Sequence, residues 1–329
     1  TLAPGEVGVF MVIASDRRQA RVIKRYVSGL LRAHPSLEAL IEQERRWKHI
    51  NSMVNFDAEQ FLNAAHIADR ELAEGRMVGP LHGLPLVVKD NIDVVKFPTT
   101  AATPALKHHL PTTQGRVIET LLGAGAIVMG KTNMHELAFT PGIAKPVDGS
   151  EIIWGAHGAA KNPYDLERSP AGSSSGTGAA VAAGVAPAGL GTDTGGSIRN
   201  PAAWCGITGL RPTIRRYSQS GVVPVSWTRD TIGPMARSVS DLALLDCVIT
   251  AKEEVRPIEL DGVRLGLDRD FFCKDCDSEI LKIFETEIER LAGAGVEIVE
   301  VTIPDLENYI GQIGQSIAMY ECVRALPRY

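Results

Sequence analysis

Two short apolar runs, residues 84–88 and 126–129, stand on either side of a helix candidate at 114–122. Runs of four or five aliphatic residues are strand-sized, and the gap between these two is long enough for a crossover. Strand, helix and strand at that spacing give a parallel pair, and such a pair is buried only when helices cover both faces of its sheet. The expected fold is α/β: a mixed, largely parallel sheet flanked by helices. The composition suits it. The 329 residues allow two ordinary domains or one large α/β domain, and 44% hydrophobic with 22% charged residues excludes a disordered chain, a collagen and a coiled coil. Aromatic residues are only 5% while glycines number 32, so the core is expected to be aliphatic, with tight turns and close backbone approaches.

Upstream, residues 16–75 read as helical, with apolar positions at three- and four-residue spacing in 17–33 and 58–73. Asp57 is placed to cap the second of these at its start, and Gly75 follows it as a C-cap. This gives an N-terminal helical layer, 1–78, ahead of a core, 79–329. Residues 140–172 read as loop. Residues 174–184 form a small, Ala-rich helix that packs closely, and 186–197 are Gly-rich with almost no bulky side chains. Further on, a helix at 241–250 precedes strand 263–267, amphipathic helix 278–292 and strand 296–301, a second βαβ unit set beside the first.

Lysine and arginine total 34 against 39 aspartates and glutamates, a net charge of −5, with no basic stripe for a nucleic-acid partner. No apolar run approaches the ~18 residues that span a bilayer. Residues 7–14 are apolar but short, follow acidic Glu6 and lack the basic start of a signal peptide. The chain begins at Thr1, as expected if a leader or tag has been removed. Five cysteines in a chain this long do not make a disulfide scaffold. Cys273 and Cys276 form a close pair, but a zinc site wants a second pair or nearby histidines, and His108-His109 lie far off in sequence. Ordinary thiols and a cytoplasmic location are expected.

Gly125-Ala-Ile-Val-Met-Gly130-Lys131-Thr132 fits the phosphate-binding pattern G-x4-G-K-[ST]. Its four central residues want to be a buried strand, which leaves no loop to cradle phosphate. Gly172-Ser-Ser174-Ser-Gly176 fits the nucleophile elbow G-x-S-x-G, which needs a strand before it and a histidine after it. Residues 162–171 contain two prolines, and no histidine follows His157, so a Ser-His-Asp triad in that order is impossible. A serine can instead be activated by a lysine kept neutral through burial. Lys89 ends the run Gly83-Leu-Pro-Leu-Val-Val-Lys89, and two readings stand side by side: a base at the site edge of a parallel sheet, or a strand-end lysine snorkelling to solvent. Gly189-Leu-Gly-Thr-Asp-Thr-Gly-Gly-Ser197-Ile-Arg-Asn-Pro201 leaves backbone N–H groups unshielded, either to stabilise an oxyanion or simply as a tight turn with a solvent-facing serine.

The stretch from Ala171-Gly-Ser-Ser-Ser-Gly-Thr-Gly through Gly195-Gly-Ser197-Ile-Arg199-Asn-Pro201-Ala202 resembles the signature of the amidase signature family, including Asp193 and the gap between Ser173 and Ser197. Ala171 departs from it, standing where the family has Gly. Gly79-Pro-Leu-His-Gly-Leu-Pro-Leu-Val-Val-Lys89-Asp90 is similar to the family's lysine segment, and Gly130-Lys-Thr-Asn-Met-His135-Glu-Leu-Ala to its next block. The resemblance extends over residues 15–325.

It implies hydrolysis of a carboxamide without metal or cofactor, through a Ser–cis-Ser–Lys triad. Ser197 matches the nucleophile, Ser173 the bridging serine on a cis peptide, and Lys89 the base. Thr194, Gly195 and Gly196, with the Ser197 amide, match the oxyanion-hole segment. Asp193 and Arg199 brace that loop, Met134 either faces the substrate or packs in the core, and Trp154, in a longer than usual connection at 141–158, is placed to shape the entrance. The substrate implied is a small-molecule amide, with esters or carbamates as side substrates and a homodimer as the compatible assembly. Ser226-Trp-Thr-Arg-Asp-Thr-Ile-Gly233 resembles members that cleave small aryl-acetamides, such as indoleacetamide or mandelamide hydrolases, and a broad amidase acting on anilides, carbamates or other esters and amides stands beside that reading. The alternative is an amidotransferase A-type subunit that supplies ammonia within a complex. Members of the family run well past the length of this chain, so a C-terminal portion is expected to be missing, either by truncation or because the chain is a naturally short member.

Overall fold

The computed structural model describes residues 35–139, 155–252 and 258–329. The expected helix at 17–33, and Trp154, lie outside them. Within the described residues there are two compact units, one formed by the chain before Glu254 together with Glu321–Tyr329, the other by Val255–Tyr320.

The first unit is α/β as expected. Its six-stranded sheet has the order β1-β3-β2-β4-β6-β5, with β1 Met53–Phe56, β2 Pro85–Lys89, β3 Ile127–Thr132, β4 Ala188–Asp193, β5 Thr208–Gly209 and β6 Thr231–Ala236. The strands β3, β2 and β4 run parallel at the centre, while β1, β6 and β5 pair antiparallel at the edges. Alternation along the strands feeds two cores. Val87, Met129 and Met235 enter one, with Leu40 and Ile41 of α1 (Pro35–Trp47), Phe61 and Ala65 of α2 (Ala58–Ala73), and the small residues of α4 (Ser175–Ala182). Leu86, Val88, Leu190 and Ile232 enter the other, with Val117, Ile118 and Leu121 of α3 (Arg116–Gly123) and Leu242 and Leu245 of α6 (Val239–Thr250). A sixth helix, α5 (Arg199–Trp204), follows β4.

Local signals in the sequence account for much of this. The Asp57 side chain accepts the Gln60 N–H at the start of α2, and Gly75 takes the left-handed conformation after its end, as the spacing predicts. The helical reading of 16–75 needs one correction: residues 53–56 form the edge strand β1, between α1 and α2. Helix α4 is buried from Ser175 to Val181, because Gly176 and Gly178 let its backbone approach Ser52, Asn133 and Pro201.

The second unit holds the other βαβ. Strands β7 (Arg264–Leu267) and β8 (Glu297–Glu300) pair in parallel, joined through α7 (Arg269–Phe272) and α8 (Ser278–Gly293). Arg269 ion-pairs with Glu285 and Glu300. Leu265, Ile280, Ile283 and Ile310 are exposed. Among the described residues, no helix is long and apolar enough to cross a membrane.

A Cβ at position 176 would overlap the Ser52 carbonyl oxygen and the Asn133 backbone. Overpacking of this kind costs about 1–3 kcal/mol, and a kcal/mol is worth about 2–4 °C of Tm at this size. Gly176→Ala is expected to melt several degrees lower, and an unchanged Tm would show that α4 does not need this approach.

Candidate active site

Strand β2 ends on Lys89, which is fully buried. It does not snorkel. Its Nζ lies 2.8 Å from Ser173 Oγ, 2.8 Å from Thr192 Oγ1 and 3.4 Å from the Thr192 carbonyl oxygen. Parallel pairing of β2 with β4 brings Thr192 there, since Val88 stands opposite Leu190 two residues earlier. Asn91 Nδ2 donates to the same Thr192 hydroxyl at 3.1 Å. Burial lowers the Lys89 pKa from 10.5 to about 7, against the upward pull of the Asp193 and Asp230 charges. A neutral amine has two N–H donors and one lone pair. Charged, Lys89 donates to Ser173 Oγ; neutral, with its N–H groups on Thr192, it has a lone pair free to accept the Ser173 hydroxyl proton.

The Gly172–Ser173 peptide is cis. Ser173 is fully buried, and its carbonyl accepts the His135 N–H at 3.2 Å. The His135 ring lies directly on Gly172, where a Cβ would overlap Cε1, Nε2 and Nδ1. Burial, then the Lys89 charge, lowers the His135 pKa to about 4, so the imidazole is neutral near pH 7.

Ser174, the centre of the elbow pattern, is fully buried at the start of α4. Its Oγ donates to the Thr192 carbonyl at 3.2 Å and accepts the Thr192 N–H at 3.3 Å, which makes it a tie to β4. Its N–H donates to the Ser197 carbonyl at 3.1 Å, holding the segment of the two signature serines together. Thr194 and Ser197 are half-buried and Gly195 is exposed, so this segment reaches the surface while Lys89, Ser173 and Ser174 do not. Nothing would meet a Cβ at Gly195 within 4 Å. The Gly196 N–H, expected to face an oxyanion, instead donates to Asp193 Oδ1 at 2.8 Å.

Asp193 organises the loop. Its buried carboxylate also accepts the Ile198 N–H at 3.1 Å and ion-pairs with Arg199 at 3.1 Å and Arg211 at 3.0 Å. Burial alone would raise its pKa, but the two guanidinium groups and the Gly196 N–H outweigh it and the net shift is downward. Arg199 thus braces the loop, as its position in the motif implies. Beyond it, Thr194 Oγ1 donates to Asp230 at 2.5 Å, and the other Asp230 oxygen accepts the Val225 and Ser226 N–H groups at 2.8 Å each. Ser226 and Thr228 in turn donate to Glu321. Thr192, Asn91, His135 and Asp230 escape a reading by motif. Thr192 lies inside the Gly-rich run, but only strand pairing shows that it meets Lys89.

Met134 is buried with Ala101, Ala102 and Val223 in a small apolar cluster. Lys131 of the phosphate-loop look-alike sits in β3, fully buried, and pairs with Asp90 at 3.2 Å. Cys273 and Cys276 are free thiols. Among the described residues, no group of three His, Cys, Asp or Glu side chains is placed to hold a metal ion.

The profile of the Amidase family matches residues 36–329. The chain belongs to the amidase signature family. Within this family it is 42% identical to a mandelamide hydrolase from Pseudomonas putida over 294 residues, 89% of this chain and 57% of that protein. It is equally identical to an indoleacetamide hydrolase from Agrobacterium vitis, covering 60% of it. Identity to the A-type subunit of a glutamyl-tRNA(Gln) amidotransferase from Lachnospira eligens is 35%, over 88% of this chain and 63% of that protein. The native peptide amidase of Stenotrophomonas maltophilia superposes with a TM-score of 0.80 at 32% identity, over 94% of this chain and 66% of that one. The chain thus spans less than two thirds of these amidase-family relatives.

Asp193→Asn removes the charge between two arginines, and breaking a buried pair on one side costs on the order of 3–5 kcal/mol. Its urea midpoint is expected to fall accordingly. Because the folded pKa is depressed, the parent's share of this stability is present above the ordinary 3.8 and lost as pH falls below it. A variant with the parent's midpoint at pH 7 would show that Asp193 does not hold the loop.

Proposed function

We propose that the protein hydrolyses a carboxamide to a carboxylate and ammonia or an amine. The observation that carries this is the fully buried Lys89, in hydrogen-bond contact with Ser173 and with its pKa lowered to about 7. Neutral Lys89 takes the Ser173 hydroxyl proton as Ser173 takes that of Ser197. The Ser197 oxygen adds to the substrate carbonyl, and backbone amides of Thr194, Gly195 and Ser197 stabilise the oxyanion. The Gly196 amide is left out because Asp193 holds it. As the C–N bond breaks, the proton returns through Ser173 to the departing nitrogen. Water then adds to the ester as its proton passes through Ser173 to Lys89, and the C–O bond to Ser197 breaks as that proton returns to the Ser197 oxygen, releasing the acid, which ionises to the carboxylate.

A small aryl-acetamide is the substrate class best supported, because the mandelamide and indoleacetamide hydrolases share 42% identity with this chain. The ammonia-supplying role has weaker support, at 35%. A cytoplasmic setting fits the five free thiols.

Ser197→Ala is expected to abolish amide turnover and fluorophosphonate labelling, whereas Ser174→Ala keeps labelling; the reverse pattern would restore the elbow serine as nucleophile. For the parent, kcat should rise with pH to a plateau, with a midpoint near 7, because the base works unprotonated. Lys89→Arg should be no better than Lys89→Ala, since guanidinium stays charged. A Lys89→Arg profile overlaying the parent's would remove Lys89 from the mechanism.

A further inference from the structure

We propose that His135 is a positioning residue for the bridging serine, acting through two contacts on one short segment. Its backbone N–H donates to the Ser173 carbonyl at 3.2 Å, and its ring occupies the space that a side chain at Gly172 would need. The two contacts grip the residues on both sides of the Gly172–Ser173 peptide. Ser173 Oγ must lie within reach of Lys89 Nζ on one side and Ser197 on the other, so a small rotation of this peptide breaks the relay. His135 is 5% exposed and neutral at working pH, so it sits beside Lys89 without adding a competing charge.

The three nearest atoms to a Cβ at Gly172 all belong to the His135 ring, and Gly172 is not among the positive-φ glycines. An alanine at 172 is therefore resisted by this ring and not by the backbone conformation. That makes Gly172 and His135 a coupled pair, although neither is assigned to the proton relay. The inference rests on the proposed Lys89–Ser173–Ser197 mechanism.

The test is a double-mutant cycle on the whole chain, with kcat and KM for a small amide and thermal melting of each variant. A misplacement near 1 Å costs about 10²-fold in rate. His135→Ala and Gly172→Ala are each expected to lower kcat by about that factor, with KM within about threefold. The double variant should lose no more than the worse single, because the two act on one contact. Melting temperatures near the parent's separate this from a folding defect; kcat per folded molecule equal to the parent's in His135→Ala would overturn the proposal. So would losses that multiply in the double variant. Ser173→Ala run alongside keeps the two levels apart. If it retains full activity, the relay itself is wrong; if it is inactive while His135→Ala is not, only the role of His135 fails.

Discussion

Everything at this site depends on a lysine held out of water. Lys89 reaches its place because β2 lies between β3 and β4, at the centre of the sheet, where its end is covered by backbone and side chains on all sides. A pKa lowered from 10.5 to about 7 corresponds to roughly 4–5 kcal/mol at about 1.4 kcal/mol per pKa unit. Against a typical total stability of about 5–15 kcal/mol that is a heavy load. By linkage it is felt most near neutral pH and below, and stability should rise between about pH 7 and 10.5, where the unfolded chain holds the extra proton. Asp193 and Asp230 pull the pKa upward, yet both carboxylates are committed elsewhere, to the arginines and N–H groups of the loop and to the 225–226 turn. Burial therefore wins.

The second constraint is the Gly-rich loop. Glycines at 195 and 196 give it freedom, and Asp193 removes that freedom by binding three backbone N–H groups, of Gly196, Ile198 and Arg199, and two guanidinium groups. Thr194, next in the chain, is fastened to Asp230. The segment that carries Ser197 is thus fixed at both ends while its middle stays open at Gly195. Such preorganisation is what electrostatic stabilisation of an oxyanion requires. The same clamp turns the Gly196 amide away, a detail that no motif reveals because it depends on which carboxylate oxygen the N–H meets.

Much of the α/β frame was legible in the residues. The runs at 84–88 and 126–129 are β2 and β3, shifted by a residue or a few at their ends, and the second βαβ unit stands where its pattern placed it. Strands β4 and β6 were not legible. Ala188–Asp193 and Thr231–Ala236 contain glycine and proline and few bulky residues, so strand propensity is low. They form because their glycines admit close packing of neighbouring elements: a Cβ at Gly189 would stand 2.7 Å from Val87, and one at Gly233 would overlap the Leu210 carbonyl. Tertiary packing overrides propensity in both. From its strand-end position Lys89 reads either as a base or as a snorkelling lysine, and the motif favours the base; its full burial removes the snorkelling reading, while the roles of Thr192 and His135 come from residues distant in sequence.

The central claim is the ionisation of one side chain, and it can be read directly. Lysine labelled at Cε with carbon-13, followed by NMR across pH and assigned with Lys89→Arg, gives the titration of each ammonium group. A Lys89 signal with a midpoint near 7 in the folded protein is the result this account predicts. A Lys89 signal that titrates near 10.5 with the surface lysines would contradict it, since a lysine charged throughout the working range cannot accept the proton of Ser173.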